Sequence, residues 1–153
     1  MDKTLKFNNE TLETVTKTFN ILSNELENIS FEIWAEIPEN FKISYYQNEQ
    51  LINPIKESFD VWNSKLSRRP NPIYSVALLG NQVISSVYGA EFSVERSMNL
   101  WATNAEYRSR RIGKVVLLNF IKNCFENNPN VHIKAWDVTS EQVNRILAEL
   151  GFV

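Results

Sequence analysis

Between Met98 and Lys114 a short apolar strand runs into a basic turn, Gly113 closes that turn, and Val115 opens a strongly apolar helix. A strand tied to an apolar helix by so short a link starts a β-α-β unit, and that unit sets where the core must lie. Arg108, Arg110, Arg111 and Lys114 fall within seven residues, beside the expected helix N-terminus. Free amides and the helix dipole point outward there, and the cationic side chains add full charges, which suits a phosphate. Taken as charges alone, they are equally well read as a solvated basic turn.

The remaining periodicity fills in an element order. From residue 11 to 36, Leu12, Val15, Phe19, Leu22, Leu26, Ile29 and Ile33 recur at spacings of three and four, and Pro38 stops the pattern. This predicts an amphipathic helix, or two with a break at Ser30 and Phe31, packed on the chain's own sheet; a coiled-coil seam fits the same spacing. Phe41 to Tyr46 alternates and reads as a strand, and Asn53 to Leu66 reads as a helix with Pro54 in its first turn. Two prolines make the Ser67–Pro72 stretch a loop. A hairpin follows, with Ile73–Leu79 and Val83–Val94 as its arms around Gly80-Asn81, and Gly89 marks a bulge or a close approach by a ligand. After the strand from Met98 to Thr103 come a helix from Gly113 to about Phe125, an extended run Val131–Trp136, and a helix capped by Ser140 that ends at Leu150-Gly151.

Composition removes several classes. The chain has 153 residues, enough for one domain with a substantial core, and a net charge of -2, which argues against an extended nucleic-acid surface. Cys124 is the one cysteine and reads as a core thiol, and a single cysteine with a single histidine cannot make a usual zinc site. No apolar stretch approaches the ~20 residues of a membrane span, and the N-terminus lacks the apolar segment of a signal peptide. The expectation is a soluble, cytoplasmic protein with no metal.

The order from Phe41 onward is β-α-β-β-β-α-β-α, and the basic turn resembles motif A of the GCN5-related N-acetyltransferases, Gln/Arg-x-x-Gly-x-Gly/Ala. Arg108 fills the first position and Gly113 the last, while Arg111 stands at the middle glycine. A side chain there must avoid positive φ or bear strain, and a guanidinium can bind phosphate directly. Leu150-Gly151-Phe152 resembles the family's ending to its last helix. The resemblance implies an α/β (α+β) fold, a mixed and mainly antiparallel sheet flanked by helices. It covers an acyl-CoA-binding domain at 41–153, preceded by an N-terminal helical extension at 1–40. The family continues past Gly-Phe into further strands, so the resemblance leaves open whether the first forty residues or a partner chain completes the sheet. An uncovered edge would favour a homodimer.

The same resemblance implies acetyl-CoA as co-substrate. Backbone of Trp101, Ala102 and Thr103 would hold the pantetheine arm, and Arg108, Ser109, Arg110, Arg111, Ile112, Gly113 and Lys114 the pyrophosphate. The family's two usual acid–base positions are Ser97 and Leu147 here, and neither side chain can do that work. Glu95, Glu91 and Asp137 are the candidate carboxylates near the expected cleft, with Tyr88 and Tyr107 as possible proton donors. The leading reading is an N-acetyltransferase acting on an amine: a small molecule, an aminoacyl group or a protein lysine. The alternatives are a catalytically inactive binding or regulatory module and, more distantly, a nucleic-acid modification enzyme using Arg68-Arg69 and the basic turn.

Overall fold

The computed structural model describes every residue except Met1, Pro54, Ser93, Asp137 and Thr139. Strands β1 (Lys3–Leu5), β2 (Ser30–Trp34), β3 (Ile73–Leu79), β4 (Gln82–Gly89), β6 (Glu95–Thr103) and β7 (His132–Ala135) form one sheet in the order β1-β7-β6-β4-β3-β2. The two-residue β5 (Glu91–Phe92) hangs off β6. All pairings are antiparallel except β6 with β7, which are parallel and joined by helix α4 (Ile112–Asn127). That is the β-α-β unit the sequence announces.

α4 explains why the core sits where it does. Ile112, Val115, Val116, Leu117, Leu118, Phe120, Ile121, Cys124 and Phe125 are all buried, on more than one side of the helix. A helix so apolar has to be covered from both sides. The sheet covers one side, and helices α1 (Asn9–Glu25) and α5 (Glu141–Glu149) contribute to the same cluster through Val15, Leu22 and Leu147. The opposite sheet face packs a second cluster, in which Tyr74, Val76 and Leu78 of β3 meet Tyr45 of helix α2 (Lys42–Gln50) and Trp62 of helix α3 (Phe59–Lys65). Burial on both faces is why β3 reads as a continuous apolar run.

Several sequence expectations are corrected here. The first forty residues are not a helical extension: α1 ends at Glu25, Asn28 turns the chain at φ 68, and Ser30–Trp34 is a strand paired with β3. Ile29 and Ile33 continued the helical spacing by coincidence, because Phe31 and Ile33 also satisfy a strand's two-residue period. The seam-like residues of α1 pack inward, with Val15 and Leu22 buried and Leu12, Phe19 and Leu26 laid against the core. Asn8 caps α1 by accepting hydrogen bonds from the amides of Glu10 and Thr11.

The expected strand at Phe41–Tyr46 is the short 3₁₀ turn Glu39–Phe41 running into α2. α2 buries Tyr45, Asn48 and Glu49 and leaves Ile43 61% exposed, so its inward face is partly polar and carries no apolar helical signature. The helix expected from Asn53 begins only at Phe59, capped by Ser58.

The question left at the C-terminus has a local answer. β1 lies along β7, and Thr4 exchanges hydrogen bonds of 2.8 and 2.9 Å with Val153 on its other side. An N-terminal strand therefore occupies the sheet position beside β7. Gly151, at φ 98, lets the chain turn out of α5 so that Phe152 reaches the core. Gly89 faces no ligand: a Cβ there would lie 2.4 Å from the Ser97 carbonyl oxygen and 2.6 Å from the Phe120 ring. Among the described residues, no helix is long and apolar enough to cross a membrane.

Candidate active site

Two strands that start together and part make the cleft. β6 and β7 pair from Glu95↔His132 to Met98↔Ala135, and there β7 ends, while β6 continues against β4 as far as Ser85↔Thr103. The β7-facing edge of β6 is therefore open beyond Met98. Ser86 and Tyr88 of β4 face Ala102 and Asn99, which leaves one extra residue on β6, and Leu100 takes it up at φ 48. The bulge kinks β6 at the mouth of the opening.

Into this opening points the start of α4. Its N-cap, Arg111, makes no side-chain capping bond, so the first amides of a 16-residue helix are not satisfied by a cap. Ser109 and Arg111 both sit at φ 65. The middle-glycine position of the motif is thus held in the left-handed region by an arginine, and the strain is real. Gly113 is required by a close approach of strand and helix: a Cβ would lie 2.7 Å from Thr103 Oγ1. The same junction is pinned by Trp101 Nε1 donating to the Gly113 carbonyl at 2.9 Å and Arg108 Nε donating to the Thr103 carbonyl at 3.1 Å.

Strand, loop and helix enclose a cavity of about 470 Å³. Trp101, Ala102 and Thr103 line one wall; Arg108, Ser109, Arg111, Ile112, Gly113 and Lys114 line another, with Val143 and Ile146 of α5 closing it. Arg110 does not line it and lies 5.5 Å from the Tyr107 ring centroid.

A second cavity of about 660 Å³ opens on the other side of the bulge. The two adjoin along the chain: Leu100 and Asn53 line this one, Trp101 and Ile52 the other. Glu95 lines the second cavity, with its side chain 37% exposed and its Oε1 3.9 Å from Lys134. Glu91 lines neither; it is held by Arg96 at 3.2 Å and by the Asn71 amide, so the structure makes it a partner of Arg96. Asp137 lies outside the described residues. Ser97 is 3% exposed and accepts from the Ala90 amide at 3.1 Å, and Leu147 is wholly buried in the core. Neither offers a proton-transfer group to a cleft.

The buried ion pair behind the second cavity has no counterpart among the sequence expectations. Glu49, fully buried, receives hydrogen bonds from Arg69 at 3.0 and 3.3 Å and another from Trp62 Nε1. Arg69 lies 3.8 Å from the centroid of the Tyr88 ring. Burial raises the Glu49 carboxyl above its ordinary value, against the opposing pull of Arg69. Burial, the largest single influence, works against the charge on Arg69, but Glu49 together with Tyr88, Tyr45 and Tyr74 outweighs it and raises the guanidinium. Burial likewise raises the Tyr88 phenol, which therefore stays protonated at neutral pH. Only the spacing of Tyr45 and Glu49, one helical turn apart, could have hinted at this cluster. On the other face, burial pushes the Cys124 thiol up to about 12, as befits a core residue. Among the described residues no cluster of side chains could hold a metal ion.

No family model and no curated protein matches this chain. Solved structures do match in shape. A tandem GNAT protein from the clavulanic acid biosynthesis pathway aligns with a TM-score of 0.67 at 12% identity, over 99% of this chain and 48% of its own. A GCN5-related N-acetyltransferase from Sphaerobacter thermophilus gives 0.64 at 13% identity, over 83% of this chain and 42% of its own. The ribosomal-protein-S18-alanine N-acetyltransferase from Escherichia coli gives 0.64 at 13% identity, over 81% and 78%. The chain thus spans about half the length of the first two.

Proposed function

We propose that this chain, which has the fold of the GCN5-related N-acetyltransferases, is an acetyl-CoA-dependent N-acetyltransferase acting on an amine. The observation that carries the reading is the coincidence, in one cavity, of an unpaired strand edge at Trp101–Thr103 and an uncapped helix N-terminus at Arg111. Those two features supply what acetyl-CoA needs: backbone groups for an amide-containing arm and outward-facing amides with cations for a pyrophosphate. The donor set fits the molecule. Trp101, Ala102 and Thr103 would hold the arm; Ser109 and Ile112–Lys114 would present amides; Arg108, Arg111 and Lys114 would supply charge.

When bound, acetyl-CoA supplies a thioester whose C–S bond breaks as the amine's C–N bond forms. The nitrogen loses two protons in all. The chain's own task is to help one leave the ammonium to solvent before attack and a second leave as the C–N bond forms, and to supply one proton to the leaving sulfur. Glu95, on the wall of the adjoining cavity, is the base we assign. It lies five residues along β6 from the bulge, so it acts through water. Tyr88 pairs directly with Asn99 next to the bulge and is protonated at neutral pH, which makes it the donor we assign. Asp137 remains a candidate base on sequence grounds alone.

Calorimetric titration of acetyl-CoA tests the reading. Micromolar binding that is weakened by Lys114→Ala supports it, and absence of binding at millimolar ligand overturns it. A second reading, an acyl-CoA-binding module without catalysis, draws on Leu147 in the core and Ser97 tied to Ala90. Thiol release from acetyl-CoA in the presence of an amine panel separates the two. The nucleic-acid reading loses ground because Arg69, half of its Arg68-Arg69 contact, is committed to Glu49.

A further inference from the structure

The larger cavity has one set of chemical groups on β6 and the opposite set on the loop after α3. Glu95, Ser97 and Asn99 alternate along β6 and so share a face. Asn99 uses its Nδ2 on Ser97 Oγ, which leaves its Oδ1 as an acceptor on the same face of β6 as the Glu95 carboxylate, four residues further along the strand. This side of the cavity accepts hydrogen bonds and presents the Glu95 carboxylate, whose one ion-pair partner among the described residues is Lys134 at 3.9 Å.

Across the sheet the order is fixed by strand pairing. Tyr88 of β4 sits directly opposite Asn99, Arg69 stacks on the Tyr88 ring, and Arg68 is the next residue out. The cations here are not equivalent. Lys65 is taken by Glu57 at 2.6 Å and Arg69 by Glu49 at 3.0 Å. Arg68 is exposed, lines the cavity and makes no ion pair among the described residues. Between Asn99 and Arg68 lies the Tyr88 ring, and Trp136, 50% exposed, lines the cavity from the β7 side of β6. A cavity of about 660 Å³ is the size that encloses a small molecule.

We infer that the acceptor is a small amine that also carries a carboxylate, its nitrogen at Asn99 on β6 with Glu95 further along the same face, and its carboxylate at Arg68. The inference rests on the transferase reading, because only that reading requires an amine at β6. The Tyr88 ring favours an apolar body between the two charges. A bidentate guanidinium–carboxylate contact at the edge of a half-enclosed cavity favours the acid-bearing amine by about tenfold over the same amine without its acid.

The test is a binding experiment on the full chain saturated with CoA, read by quenching of tryptophan fluorescence and by calorimetry. The probes are matched pairs: L-phenylalanine with phenethylamine, and 6-aminohexanoate with hexylamine. The acid-bearing member of at least one pair binds about tenfold tighter, Arg68→Ala removes that preference, and Arg68→Lys keeps part of it. Equal or tighter binding of both plain amines, or a preference untouched by Arg68→Ala, overturns the inference. So does spermidine binding tighter than every acid-bearing probe. Titration of acetyl-CoA into the CoA-free chain separates the two readings. Acetyl-CoA binding with no acid preference sinks the acceptor class alone, whereas an acid preference without acetyl-CoA binding sinks the transferase and leaves a site for carboxylated amines.

Discussion

On one side of β6 the cavity wall is backbone: a strand edge without a neighbour, a loop held at positive φ, and a helix start without a side-chain cap. On the other side the wall is side chain, built on α2 and α3 and the loop after them and held by a buried ion pair among aromatic rings. The first cavity depends on where the chain goes, so it tolerates exchange of most side chains provided Gly113 stays. The second depends on which side chains are present, and a single exchange can remake it.

The contrast can be broken most forcefully at Glu49. Glu49→Ala leaves the Arg69 charge buried without its partner, and such a loss costs roughly 3–5 kcal/mol of stability, measurable by urea denaturation. Acetyl-CoA binding to whatever fraction stays folded should be unchanged, because Glu49 is on the other side of β6; a lost affinity would mean the two cavities are not independent. The pH dependence of stability carries a sign. Burial raises the folded carboxyl, so between the ordinary carboxylate range and the raised value the native state holds a proton that the unfolded chain has already released, and above it the ion pair with Arg69 is complete. The proton's contribution is fully present below the ordinary carboxylate range and fades as pH rises through the raised value. Glu49→Gln flattens this slope; a slope that persists assigns it to another group.

Next in size is Gly113→Ala. Alanine is the better helix former, yet its Cβ would lie 2.7 Å from Thr103 Oγ1, itself bonded to Ser85 Oγ at 2.8 Å. Forcing β6 and α4 apart costs about 1–3 kcal/mol and closes the backbone-built cavity, so acetyl-CoA affinity and stability fall together. A variant as stable as the parent would show that the junction yields. Lys114→Ala is milder. It removes one charge from the helix start, weakens acetyl-CoA by about tenfold at low salt and by less at high salt, and leaves the melting temperature in place. A loss independent of salt would argue against a phosphate partner.

How much of this was legible depends on whether burial was apolar. α4 and the β3–β4 hairpin carry their periods in Val, Ile, Leu and Phe and are placed by the sequence, although β4 ends at Gly89 rather than Val94. β6 and β7, placed by Met98, Leu100 and Ile133, differ from expectation by one to three residues at their ends. α2 turns Asn48 and Glu49 inward, so its buried face has no apolar signature, and the alternation of Phe41, Ile43 and Tyr45 reads as a strand instead. β2 was lost because Ile29 and Ile33 prolong the spacing of α1. The cavity behind the basic turn is built from a strand, loop and helix contiguous in the chain, so local order together with the family resemblance pointed to it, whereas the charges alone did not. The second cavity draws on Asn53, Trp62, Arg68, Tyr88, Asn99 and Trp136, which only the tertiary fold assembles. Glu95 falls on its wall, while Glu91 turns away to Arg96.

Arg111→Gly carries the smallest expected change and the sharpest reading of the contrast. Arg111 stands at φ 65 with no capping bond from its side chain, where an L-residue other than glycine, asparagine or aspartate is rarely found. Glycine adopts this conformation freely, so the variant gains about 1 kcal/mol of stability. If the guanidinium is retained because it adds charge to a backbone cradle, the same change weakens acetyl-CoA by several-fold, and stability and affinity move in opposite directions. That result would make Arg111 the one place where the backbone-built cavity has taken on the character of its neighbour. If affinity instead rises with stability, the side chain obstructs the cradle and the first cavity is backbone throughout. Denaturation and calorimetry on one purified variant decide between them.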